Sequence, residues 1–136
     1  MVLFLDIRND RAIIAIVEVE RAQWMSVKGE RVGFRSFDRV KKVLGKKKPG
    51  AVIVAVGEPS TKRALSWSTM RTGVAMANGL AFAWDIPVVA IEICGDETRG
   101  ELAEMVKKAA KKAKKNRWIT TSYNGEPNIT KAKNSL

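Results

Sequence analysis

Two short runs in this sequence, residues 2–7 (VLFLDI) and residues 51–56 (AVIVAV), are apolar at nearly every position and rich in branched side chains. A strand of that kind has no solvent face, so other elements must cover it on both sides. The requirement rules out a sheet with one wet face. It fits a layered α/β domain with helices packed on the sheet.

The remaining segments fit that frame. Arg8-Asn9-Asp10 supplies turn chemistry, and residues 11–19 (RAIIAIVEV) are β-branched, so they read as a second strand hairpinned to the first. Residues 22–28 alternate as a weaker third strand, and Gly29 and Gly33 break the pattern. Ser36 is placed to cap a short helix over about 37–44, with Asp38 in its first turn and Val40, Val43 and Leu44 as its stripe. A long helix is predicted from about 68 to 84, closed by Asp85-Ile86-Pro87, and a last strand over 88–93. Thr98-Arg99-Gly100-Glu101 is a capping box that opens a helix to about Lys115. A short strand over 118–121 is expected in an otherwise irregular tail.

Three strands in a meander, then helix, strand, helix, strand, helix, predict an α/β fold. Its sheet is mixed and five-stranded, a three-stranded antiparallel meander plus two parallel strands, with helices packed on it. This is the ribonuclease H and actin-like arrangement. At 136 residues the expected organisation is one domain over 1–116 with a C-terminal tail over 117–136. That length buries a real core without disulfides.

The long helix is apolar on too many sides. Met76, Leu80 and Trp84 share one stripe, and Met70, Val74, Ala77 and Ala81 adjoin it, while Phe82 points elsewhere with Ala75 and Gly79 close by. A helix lying on a sheet needs one apolar stripe. Gly73, Ala77 and Ala81 are spaced four apart, as are Ala75, Gly79 and Ala83, and small residues so placed let another backbone come close. Either the helix is sandwiched inside its own domain, or it packs against a second chain.

Charge and missing residue types narrow the chemistry. Lys and Arg number 25 against 14 Asp and Glu, a formal charge of +11, and residues 107–117 hold seven basic groups and no acid. The chain has no histidine, which removes the commonest general base and metal ligand. Cys94 is the single cysteine, so no disulfide framework exists, and it is expected to be a small buried strand-end residue. No apolar run reaches the roughly 18 residues of a membrane span, and the N-terminal residues lack signal-peptide features, so a cytoplasmic location without membrane contact is expected.

Residues 66–91 (SWSTMRTGVAMANGLAFAWDIPVVAI) resemble the signature of the TsaB/YeaZ family, close to S-F-T-G-L-R-x-G-x-A-x-A-K-G-L-A-x-A-x-x-I-P-x-V-G-V. Ser66, Arg71, Gly73, Ala75, Ala77, Gly79, Leu80, Ala81, Ala83, Ile86, Pro87 and Val89 match in register. Asp6 ends the first strand as the family's aspartate does, and residues 123–131 are similar to the end of short family members. The family's D-T-S-T opening is replaced by Asp6-Ile7-Arg8-Asn9, residues 58–65 intervene before the serine, and the family's usual second domain has no room.

The resemblance implies a short, single-domain scaffold. It would be the non-catalytic subunit that supports threonylcarbamoyladenosine formation on tRNA by binding the catalytic threonylcarbamoyl-transferase subunit through helices. No cofactor or metal is implied, and alone such a chain is expected to form a homodimer. The expected partner-binding residues are Met70, Gly73, Val74, Met76, Ala77, Leu80, Ala81 and Trp84.

Two other readings remain open. On a ribonuclease H-like sheet, Asp6, Glu58 and Asp96 would be three carboxylates for two-metal phosphodiester cleavage. Alternatively Lys107, Lys108, Lys111, Lys112 and Lys115, gathered on one helix face, would contact tRNA through its phosphates, or simply be a solvated face. Gly57-Glu58-Pro59-Ser60-Thr61-Lys62 lacks the second glycine and the ending of a phosphate loop.

Overall fold

The computed structural model describes residues 1–57, 66–114 and 119. Five strands and three helices follow in the order β1 (Val2–Ile7), β2 (Arg11–Val17), β3 (Ala22–Lys28), α1 (Val32–Leu44), β4 (Val52–Val56), α2 (Trp67–Trp84), β5 (Val88–Glu92) and α3 (Arg99–Lys112). The sheet runs β3-β2-β1-β4-β5. The β1–β2 and β2–β3 pairs are antiparallel, while β1–β4 and β4–β5 are parallel. The sheet is the expected meander plus two parallel strands.

Strand periodicity decides which side chains meet which layer. Leu3, Leu5 and Ile7 of β1, with Val52 and Val54 of β4, face a core closed by Val40 and Leu44 of α1 and Ala77, Leu80 and Ala81 of α2. Phe4 and Ile53 face the opposite core, closed by Leu102 and Val106 of α3. Both central strands are therefore dry on both faces, as their composition demanded.

Helix α1 begins earlier than the sequence pattern indicates. Ser36 lies inside it, fully buried, with its hydroxyl donating to the Val32 carbonyl, and so is not a cap. The residue before the helix is Arg31, in the left-handed region at φ 56°, and no side chain caps it. Gly33 does not break the helix either, because Val32, Ser36, Val40 and Leu44 continue one i, i+4 stripe into the core. Only Gly29, at φ 95°, turns the chain after β3.

The other two helices start where the sequence places them. Ser66 accepts from the Thr69 N–H at 3.3 Å to cap α2. Thr98 and Glu101 complete the capping box of α3, with the Glu101 N–H donating to Thr98 Oγ1 at 3.1 Å and the Thr98 N–H to Glu101 Oε1 at 3.3 Å. The helix ends at Lys112 rather than Lys115. The proposed strand over 118–121 lies outside the described residues except at Ile119. There the Asn78 side chain grips the backbone twice, donating to the Ile119 carbonyl at 2.9 Å and accepting from its N–H at 3.1 Å. No helix among the described residues is long and apolar enough to cross a membrane.

Candidate protein-docking surface

Helix α2 meets the sheet closely because of Gly73. A Cβ there would stand 2.9 Å from Ile7 Cβ and 3.0 Å from the Ile7 carbonyl oxygen, so only glycine lets the helix lie this near β1. That proximity places Met70, Gly73, Val74, Ala77, Leu80 and Ala81 inside the chain's own fold. Met76 and Trp84 are half-buried and packed against the same core. Six of the eight residues expected to bind a partner are thus taken up intramolecularly. The surface open to one lies a face further round the helix.

That face is built from Ala75, Gly79 and Ala83, all exposed and spaced one turn apart. Gly79 differs from Gly73: nothing lies within 4 Å of the Cβ it lacks. It therefore costs the helix about 0.5–1 kcal/mol relative to alanine with no packing gain inside the chain. Alongside runs α1, whose Phe34 and Phe37 sit three residues apart and project together. Phe34 is 71% exposed and Phe37 37%. Between the helices lies an open groove of about 670 Å³, floored by Met76, Gly79 and Leu80 and walled by the two phenylalanines.

Lys41 Nζ lies 5.6 Å from the centre of the Phe37 ring, and Arg35, Asp38, Arg39 and Lys42 are exposed elsewhere on α1. The two phenylalanines escaped the sequence reading because that reading started the helix at 37. Their i, i+3 spacing, offset from the Val32–Ser36–Val40 stripe, is the signal that finds them.

The basic helix is only partly available. Lys107 is half-buried and committed, donating to the Val19 carbonyl at 2.9 Å and pairing with Glu104 at 3.3 Å. Lys108, Lys111 and Lys112 are exposed, whereas Lys115 lies outside the described residues.

Of the three carboxylates in the nuclease reading, two lie among the described residues. Asp6 is gripped by Arg8, whose Nε donates to Oδ1 at 2.7 Å and Nη2 to Oδ2 at 2.9 Å. Glu58 lies outside the described residues, and Asp96 is exposed in the loop after β5. Among the described residues no group of three His, Cys, Asp or Glu side chains is placed to hold a metal ion. Cys94 is exposed, not buried, because β5 ends at Glu92 and Gly95 turns the chain at φ 99°. Its thiol lies 3.4 Å from Glu97 Oε2. Partial burial would raise the Glu97 carboxyl. The N–H groups of Glu97 itself, Gly95 and Cys94, with the Cys94 thiol, outweigh it and hold the group below its ordinary value.

No protein-family model matches the sequence, and no curated protein does. Solved structures do match. YeaZ from Pseudomonas aeruginosa superposes with a TM-score of 0.56 at 23% identity, over 67% of this chain and 43% of that one. An uncharacterised protein with similarity to peptidase YeaZ, also from Pseudomonas aeruginosa, gives the same score and identity over 67% of this chain and 42% of that one. The chain thus spans less than half the length of these two neighbours. RuvC of T. thermophilus, in complex with a Holliday junction substrate, follows at 0.50 and 21% identity, over 67% of this chain and 63% of that one. At such identities the likeness is one of fold, and it agrees with the ribonuclease H and actin-like sheet described above.

Proposed function

We propose that this chain is a non-catalytic, protein-binding subunit supporting threonylcarbamoyladenosine formation on tRNA. It docks the catalytic threonylcarbamoyl-transferase subunit through the α1–α2 groove and pairs with a second copy of itself when alone. The observation that carries this reading is the exposed apolar groove, with Phe34 at 71% exposure beside the open backbone of Gly79. Apolar surface of this kind favours burial against another protein. A helix floored by Ala75, Gly79 and Ala83 admits a second helix at short interaxial distance. The signature over residues 66–91 and the fold shared with YeaZ support the choice of partner.

Exposed Lys108, Lys111 and Lys112 give an auxiliary role in holding tRNA phosphates, which would weaken as salt rises. The nuclease alternative draws on the fold shared with RuvC. It requires magnesium-dependent cleavage of a branched or RNA-containing duplex that is lost in Asp6→Asn.

Size-exclusion chromatography with light scattering tests the docking reading, using this protein mixed with the catalytic subunit of its own organism. A one-to-one complex that displaces the homodimer is expected. No complex across a range of salt concentrations would overturn the choice of partner. Phe34→Glu and Gly79→Arg should abolish the complex while leaving the circular dichroism spectrum unchanged.

A further inference from the structure

The carboxyl ends of the three parallel strands β1, β4 and β5 gather at one edge of the sheet. In α/β sheets this is the edge at which ligands bind. In this chain it is already filled, and by one of its own side chains. Asp6 is the last residue but one of β1 and Arg8 the first residue after it, and their side chains meet at the edge. The Arg8 guanidinium folds back into the edge, and the residue is 2% exposed.

Four oxygens surround it. Two are the Asp6 carboxylate oxygens, taken in a fork by Nε and Nη2 at 2.7 and 2.9 Å. The others are backbone carbonyls, both accepting from Nη1: Ile93 at 2.6 Å and Gly57 at 3.2 Å. The backbone of the same residue ties down the start of α2, since the Ser66 N–H donates to the Arg8 carbonyl at 2.8 Å. One carboxylate and two carbonyls from separate chain segments are the ligand types that hold a hard metal cation. Here they converge on a guanidinium, whose planar fork matches a carboxylate bidentately and whose charge is permanent.

We propose that Arg8 is a built-in cation, standing among oxygens of the kind that would otherwise hold a divalent metal ion. The guanidinium neutralises Asp6, bridges the ends of β1, β4 and β5, and among the described residues occupies the place between these four oxygens that a metal ion would need. The edge is a closed structural joint. Deleting the Arg8 side chain turns it into an open cation site.

The test uses the full chain as wild type, Arg8→Ala, Asp6→Asn and the Arg8→Ala/Asp6→Asn double variant. Thermal melts are run with magnesium, manganese or methylguanidinium chloride at millimolar concentration, each against sodium chloride of equal ionic strength. Electron paramagnetic resonance counts bound manganese. Wild type should bind no manganese that Asp6→Asn removes. Arg8→Ala should melt lower than wild type and be raised by methylguanidinium or by manganese. The double variant should respond to neither, because the carboxylate that receives the cation is gone.

A purely structural ion pair would give the lowered melt without the rescue, so an Arg8→Ala that melts lower but answers to neither cation overturns the proposal. An Arg8→Ala as stable as wild type overturns it as well. If Arg8→Ala fails to fold, wild type decides. Manganese bound to wild type and lost in Asp6→Asn would mean the carboxylate is free for metal and the proposal wrong. No such binding in wild type, with refolding of Arg8→Ala promoted by methylguanidinium, would support it.

Discussion

Alanine at Gly73 and alanine at Gly79 should move stability in opposite directions, although both residues lie in α2. Each substitution gains about 0.5–1 kcal/mol from helix propensity and from a less flexible unfolded chain. That gain is common to the two and cancels in their comparison. At Gly79 nothing lies within 4 Å of the new methyl group, so the gain stands alone. At Gly73 the methyl group would lie 2.9 Å from Ile7 Cβ and 3.0 Å from the Ile7 carbonyl oxygen. Ordinary carbon contacts are about 3.5–4.0 Å, so α2 must recede from β1 by roughly 0.5–1 Å. Overpacking of this kind costs about 1–3 kcal/mol.

The two variants should therefore differ by about 1–3 kcal/mol, with Gly79→Ala above wild type and Gly73→Ala below it. For 136 residues the unfolding entropy converts 1 kcal/mol into roughly 3–4 °C. Thermal unfolding followed by circular dichroism at 222 nm should then separate the pair by about 3–10 °C. Urea unfolding at constant m would show that the difference is one of stability and not of compactness. A Gly73→Ala protein that melts with or above Gly79→Ala would refute the close approach of α2 to β1. The burial of Ala77 and Leu80 argued from it would fall too.

Three more outcomes are expected. Phe34→Ala should weaken association through the groove by about 1–2 kcal/mol, close to tenfold in Kd, without lowering the melting temperature; isothermal titration against the partner measures it. Thr98→Ala should cost about 1 kcal/mol, because the Glu101 N–H loses its acceptor at the start of α3; urea unfolding reads this directly. Glu97 is held below its ordinary value in the folded state, so its contribution is present above about pH 4.3, the unfolded value, and is lost as pH falls through the folded one. Glu97→Gln should flatten the acid limb of the stability profile, and an unchanged limb would show that these donors do not matter.

The strands were legible in the residues because each carries its own constraint. VLFLDI and AVIVAV cannot face water on either side, and the alternation of strand and helix then leaves few sheets to build. The cap of α3 was legible for the same local reason, since Thr98 acts on an N–H group three residues away. The start of α1 was not. Gly29, Gly33 and a serine at 36 carry the local signals of a break and a cap, and burial of the Val32–Ser36–Val40 stripe on the sheet overrides them.

The docking face and the filled sheet edge belong to tertiary structure. Sequence identified α2 as apolar on too many sides, yet periodicity cannot say which side the sheet claims. The contact of Gly73 with Ile7 fixes that rotation, sending Leu80 and Ala81 inward and leaving Ala75, Gly79 and Ala83 out beside Phe34. Arg8 reads along the chain as a turn residue. Its charge becomes a joint of the fold only because strands far apart in sequence bring the carbonyls of Gly57 and Ile93 to the carboxylate two residues before it. A residue's own neighbours along the chain set its conformation, but the oxygens that surround a buried charge are chosen by the sheet.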